Sequence, residues 1–257
     1  SAGVMGGTLI VVGEDYGEGA SIIQERSHAF AMKSSLCLLD PRPHLPTIVR
    51  MVEKGFELSE ASSLPAMLEL RIRACHVHGR FTAKDNVAPP ISRRHVLEQP
   101  EFDYSRICLP PSTYAQEKQK IAHRLPAARR FIAAHGLNEF LDGDLSEIGI
   151  ITQGGLTNSV LRALSLTGMA DAFGNSRVPL YVMNATYPVL PEEITRFCAD
   201  KRAVLMVEEG NPDYLEQAVH VALRKADLNT VVHGKDVLPE AGEYTGEVML
   251  AGVENFL

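Results

Sequence analysis

At 257 residues with 45% apolar content, the chain can bury a large core, and the usual domain size of roughly 100 to 200 residues points to two domains. A net charge of -7 excludes a general nucleic-acid or membrane-surface role, since either would need a basic face to meet phosphates. No apolar run approaches the roughly 20 residues of a membrane helix, so neither nucleic acid nor membrane is expected as a partner.

The four cysteines, Cys37, Cys75, Cys108 and Cys198, form no CxxC pair, which argues against a zinc ribbon or a ferredoxin motif. They read as small, reduced core residues of a cytoplasmic protein. Ser1-Ala2, with no initiating Met and glycines close behind, reads as a scar joined to the middle of a larger protein, and no signal peptide follows it.

Residues 8–13, TLIVVG, are a β-branched apolar run suited to a central parallel strand that breaks into the acidic, Gly-rich EDYGEGAS. A helix is expected over 21–33, a short strand over 36–39 closed by DPRP, an amphipathic helix carrying Leu45, Ile48, Val49, Val52, Phe56 and Leu58, and a third strand over 65–72. From 78 to 111 the periodicity fades among prolines, which predicts a long loop or an interdomain crossing. A helical segment over 112–135 follows, divided or kinked at Pro126, and then a polar, acidic stretch at 138–144.

The most regular unit is 147–168, EIGIITQGGLTNSVLRALSLTG, which reads as strand, tight turn and helix. Thr157, Asn158 or Ser159 is placed to cap that helix, and Gly168 to end it in a left-handed conformation. Further strands are expected at 179–184, 203–207 and 230–233, with helices over 191–200 and from about Pro212 to Lys225, and a tail of little regular pattern. The alternation implies an α/β fold of two parallel-sheet, three-layer domains built by right-handed crossovers.

The loop from Glu14 to Gln24 is the best site candidate. It leaves the C-terminal end of a buried strand, where open α/β sheets hold ligands, and offers Glu14, Asp15, Tyr16, Ser21 and Gln24 as polar contacts. The alternative is a solvated loop. Gly154-Gly155 reads as an anion cradle or, more simply, as a helix cap. His76 and His78 share strand spacing but lack a third ligand, so no metal site is assigned. Glu208-Glu209 looks like a catalytic pair, yet neighbours on a strand diverge, which favours helix capping or an interface. Ser27-His28 has no acid partner at useful spacing, and no catalytic residue is assigned.

Five blocks in order, GGTLIVVGEDYG, QERSHAFAM, ITQGGLTNSVLRALSLTG, VLMVEEGNPDYLEQ and HGKDVLPEAGEYTGEV, resemble the thiamine-diphosphate-dependent 2-oxoacid:ferredoxin oxidoreductases, most closely their indolepyruvate branch. The resemblance implies a partial pyrimidine-type cofactor domain over 1–110, a helical linker over 111–144 and a transketolase-C-terminal-like domain over 145–257. It implies an enzyme that converts an aryl or branched 2-oxoacid to an acyl-CoA, with ferredoxin and coenzyme A as partners. Thiamine diphosphate with Mg²⁺, and iron–sulfur clusters, would belong to the parent enzyme, with none expected on this piece alone. Glu14, Asp15, Tyr16, Ser21 and Gln24 become the cofactor-side residues, and Tyr16 departs from the family's acidic-acidic-Pro-Gly pattern.

The family's pyrimidine-binding glutamate, its Gly-Asp-Gly module and its Cys-rich segment have no counterpart here, so the piece alone is expected to be inactive. Its remaining domains or subunits are then the expected partners. An incomplete first domain would expose apolar surface and associate, which makes a homo-oligomer the expected state. The rival reading is a non-catalytic assembly module with a degenerate thiamine-enzyme fold.

Overall fold

The computed structural model describes residues 2–15, 26–87 and 103–257. The first half gives β1 (Leu9–Glu14), α1 (Ser27–Ser34), β2 (Cys37–Leu39), α2 (Leu45–Ser62), β3 (Ala66–Arg71) and one turn of helix, α3 (Ile72–Cys75). After the stretch of fading periodicity come α4 (Ser112–Gln119) and α5 (Leu125–Ala134). A turn of wider π-helix over Lys120–Arg124 joins them, so the break falls just ahead of Pro126, which sits in the first turn of α5 where its missing N–H is harmless.

The second half opens with a strand not expected from the sequence, β4 (Glu139–Leu141), and continues with β5 (Ile148–Gln153), α6 (Thr157–Leu166), β6 (Leu180–Met183) and β7 (Ala185–Tyr187). It ends with α7 (Pro191–Cys198), β8 (Ala203–Val207), α8 (Tyr214–Lys225), β9 (Val231–His233) and α9 (Gly246–Phe256). The last helix occupies the tail that looked irregular. Gly168 has φ +74°, the left-handed stop expected after α6.

Two sheets result, ordered β1-β3-β2-β7 and β4-β6-β5-β8-β9. Their interiors are parallel, as the alternation of strands and helices implies, and each carries one short antiparallel edge strand, β7 or β4. β7 belongs to the second half of the chain yet pairs with β2, so the chain returns to the first sheet after starting the second.

Each sheet has helices on both faces. In the first, Leu39, Ala66 and Leu68 pack under α2 and α5 through Met51, Leu58, Ala128 and Ile132, while Leu38 and Met67 face Ala31 of α1. In the second, Ile150, Leu180, Val182, Leu205 and Val207 face α6 and α9, and Ile151, Met183, Val204 and Met206 face α7 and α8. β8, AVLMV, is buried at every position, as a strand covered on both faces should be. Each fully buried Leu, Ile or Val contributes about 1.5–3 kcal/mol, and these four packed layers bring the C-terminal strand ends of one sheet against those of the other. Among the described residues, no helix is long and apolar enough to cross a membrane.

Candidate functional site

The strands of both sheets end in ionisable residues, and these ends meet. β1 ends at Glu14, 4% exposed, whose carboxylate accepts the backbone N–H of Ser27 through both oxygens at 3.0 and 3.2 Å. A carboxylate there is favoured by the free N–H groups at the start of α1, and the bond ties the end of β1 to that helix. Asp15 follows, half-buried. Tyr16, Ser21 and Gln24, the other candidate contacts, lie outside the described residues. Arg26, at the far end of that loop, donates to Glu208 Oε1 at 3.0 Å, to the Pro212 carbonyl at 2.7 Å and to the Glu209 carbonyl.

Asp40 follows β2 and is 1% exposed. Its carboxylate accepts Nη2 of Arg71 at 2.8 Å and the backbone N–H of Gly155 at 3.1 Å. Arg71, the last residue of β3, turns its other arm to Glu209 beyond β8, Nη1 to Oε2 at 2.7 Å. One guanidinium therefore ties the first sheet to the second. Glu209 also accepts from Arg73 at 3.4 Å and from the Tyr244 backbone at 2.5 Å, and its own N–H donates to Gln153 Oε1 at 2.9 Å.

Glu208 and Glu209 diverge as strand neighbours must. Glu208 accepts the N–H groups of Leu215 and Glu216 at 2.8 and 3.0 Å, which makes it the cap of α8; that helix begins at Tyr214, two residues after the expected start at Pro212. Lys235 donates to the Glu208 carbonyl at 2.6 Å and to the Tyr244 hydroxyl at 2.7 Å. His28 is stacked on Tyr214 at 5.5 Å between centroids and meets Tyr187 edge-on at 6.4 Å.

Burial dominates the titration of this cluster. It pushes the Glu69 carboxyl well above the usual range, an effect increased by Asp40 and by Glu14 and opposed by Arg71. Asp40 and Glu208 are raised by burial as well, the first offset chiefly by Arg71 and the second by the helix N–H groups it caps. Burial, with Arg26 and Arg71 nearby, lowers His28 to about 3, and burial also lowers Lys235. Among the described residues, buried His28 Nδ1 and Glu69 Oε1 find no hydrogen-bond partner; the latter lies 3.3 Å from Arg71 Nη2, in ion-pair reach. Perturbed groups gathered at strand ends mark a functional candidate, and the same network is the mortar between the sheets.

The Gly154-Gly155 turn does receive an anion, and it is the protein's own Asp40. None of the three expected caps of α6 acts as one. The Thr157 hydroxyl donates to the Gly154 carbonyl at 2.7 Å, Asn158 donates to the Pro43 carbonyl at 3.1 Å, and no side chain caps the helix start. His76 and His78 are exposed and lie at and beyond the end of α3, so strand spacing does not apply to them. Of the cysteines, Cys37 and Cys198 are buried as expected, but Cys75 and Cys108 are exposed. Among the described residues no group of three or more His, Cys, Asp or Glu could hold a metal ion.

No family model matches the chain. The "Indolepyruvate oxidoreductase subunit IorA" of Methanothermobacter thermautotrophicus is 27% identical to it over 250 residues, and that of Methanothermobacter marburgensis 26%; each match covers 96% of this chain. The protein of the same name from Pyrococcus horikoshii is 24% identical over an alignment of 262 positions that covers 99% of this chain. The resemblance to the 2-oxoacid:ferredoxin oxidoreductases holds. The chain spans 38% of the length of each of these relatives.

The fold is shared with a 2-oxoglutarate:ferredoxin oxidoreductase from Magnetococcus marinus, at TM-score 0.60 and 15% identity over 97% of this chain and 48% of that one. It is shared less closely with a split-gene transketolase described as an inactive β4 tetramer, at TM-score 0.51 and 15% identity over 96% of this chain and 65% of that one. Of the members of the cluster that sequence reading missed, Arg26, Asp40, Glu69 and Arg71, the last two had a signal. Glu69 and Arg71 interrupt the apolar strand AMLELR at alternate positions, and charges inside such a strand need partners.

Proposed function

We propose that this chain is part of an enzyme that oxidatively decarboxylates a 2-oxoacid, indolepyruvate or another aryl or branched one, to an acyl-CoA. Carbon dioxide leaves, the acyl group passes to the coenzyme A thiol, and the electron pair left behind passes to ferredoxin. The observation that carries the reading is the buried ionisable cluster where the strand ends of the two sheets meet, at the foot of the loop that begins with Glu14. In this reading residues 1–110 are the cofactor-side domain, 111–144 a linker and 145–257 the supporting domain.

Thiamine diphosphate, when bound, supplies a carbon nucleophile for the 2-oxo carbon. The residues fit one end of such a molecule. The buried Glu69 carboxyl, raised well above the usual range, and the buried His28 ring, lowered to about 3, suit a polar, uncharged ring, and Glu14, Asp15, Tyr16, Ser21 and Gln24 are proposed as its contacts. The carboxyl groups of Asp40, Glu208 and Glu209 are already taken up by Arg26, Arg71 and the N–H groups of α8. The diphosphate end, its Mg²⁺ and the iron–sulfur clusters are assigned to other parts of the protein. Glu14 would bind and orient, and the packed aromatic rings of Tyr187 and Tyr214 beside His28 would exclude water.

The assembly-module reading is favoured by one fact: Asp40, Glu208 and Glu209 are all engaged in internal ion pairs and caps. An assay of the native assembly separates the two. Dye reduction that requires thiamine diphosphate, coenzyme A and a 2-oxoacid is the expected result. No reduction with indolepyruvate or any other 2-oxoacid leaves the assembly module standing.

A further inference from the structure

A cavity of about 950 Å³ lies between α2 and residues 80–87, and none of the residues lining it belongs to the sheet junction. Its wall on α2 is Pro46, Val49, Arg50, Glu53 and Lys54, spaced i, i+3, i+4, i+7 and i+8 along one side of the helix. Met51 and Leu58, on the side turned to the first sheet, carry the core packing. The cavity wall is therefore free for another use.

The opposite wall has no regular secondary structure and meets α2 at two points. A β-carbon added to Gly79 would lie 3.5 Å from that of Leu45, and Lys84 Nζ meets Glu53 Oε2 at 2.5 Å. Among the described residues, no backbone hydrogen bond joins this segment to α2. Phe81 and Val87, 48% and 88% exposed, line the gap instead of filling it. Burying an apolar side chain of this kind contributes about 1.5–3 kcal/mol, so both walls offer apolar surface that a ligand would cover.

Charge decides the ligand's other end. Of the charged residues around the cavity, Lys84 is paired with Glu53, and Lys54 with Glu57 outside it. Arg50, Arg80 and Asp85 remain. Arg50 donates to the carbonyls of His135 and Gly136 at the end of α5 but keeps its charge, and Arg80 forms no ion pair among the described residues. Two guanidiniums against one carboxylate make the cavity electropositive in a chain whose net charge is -7. A guanidinium fork matches a carboxylate, and an anion without an apolar part would leave Phe81 and Val49 uncovered.

We propose that this cavity binds a small aryl carboxylate, with its ring against Phe81 and Val49 and its carboxylate on Arg80 and Arg50. The volume falls within the roughly 300–1,000 Å³ of small-molecule sites. The site rests on these residues alone and does not depend on the functional reading above.

Irradiating the native assembly with para-azidophenylacetate and mapping the adducts by mass spectrometry tests the proposal. Adducts are expected within residues 46–54 or 80–87. Hydrocinnamate should displace them at a concentration at least about tenfold lower than its neutral counterpart, hydrocinnamyl alcohol. Arg80→Gln should cut labelling about tenfold, while Arg224→Gln, at the exposed end of α8, should leave it unchanged. Both side chains are exposed, so both variants should keep the wild-type melting temperature. The absence of adducts from these two segments overturns the proposal, as does equal displacement by the alcohol or full labelling of folded Arg80→Gln.

Discussion

Arg71 is 3% exposed and neutralises Asp40 and Glu209, which belong to different sheets and are themselves almost fully buried. Removing one partner of such a pair leaves uncompensated buried charge, so Arg71→Ala should cost about 3–5 kcal/mol in urea unfolding. A loss below about 1 kcal/mol would mean that the sheets are held by packing alone. Glu69 works in the opposite direction. Its folded-state value lies above the usual glutamate value of 4.5, so its contribution is intact below that pH and is lost as pH rises toward the folded value. Glu69→Gln removes this titration while keeping a side chain of the same size. Its melting temperature should therefore exceed that of the wild type by a margin that grows from pH 5 to pH 8. A margin that shrinks over that window would show that Glu69 is ionised in the folded protein.

At the scale of elements, the turn before α6 shows how tightly the sheets meet. A β-carbon on Gly154 would fall on the Asp40 carbonyl oxygen, and one on Gly155 on the Arg71 side chain. Gly136 is left-handed too, at φ +54°, but a β-carbon there meets nothing. Gly136→Ala should cost only about 1 kcal/mol of backbone strain, while Gly154→Ala should abolish soluble folded protein. Equal melting temperatures for the two variants would contradict the close approach. The strands β1, β3, β5 and β8 were legible in the sequence to within a residue or two, and α2 was legible from its apolar stripe but runs four residues past Leu58. β4 and β7 were not, because three residues carry no period and their pairing is decided by Asn138 and Asn184 contacts across the chain. α9 was hidden by its glycines, although the Thr245 hydroxyl accepting the Val248 N–H marks its start. The expected cap of α6 was misjudged because a 3₁₀ turn over Gly154–Leu156 runs straight into the helix, whose start has no side-chain cap. The loop starting at Glu14 was legible as a site candidate from its strand, but the cluster beneath it was not, since it is assembled from strand ends of both sheets.

For the whole molecule, we propose that the junction of the two sheets serves a thiamine-diphosphate enzyme through the residues that begin at Glu14. Glu14 is held by the Ser27 N–H and Arg26 by Glu208, so these two residues are fixed before any ligand arrives, which lowers the ordering cost of binding at those positions. The most direct test is a calorimetric titration of the native assembly with thiamine diphosphate, comparing wild type with Glu14→Gln and Asp15→Ala. The account predicts a Kd raised about tenfold or more in at least one variant, with urea midpoints close to that of the wild type. Unchanged binding in both folded variants would contradict it.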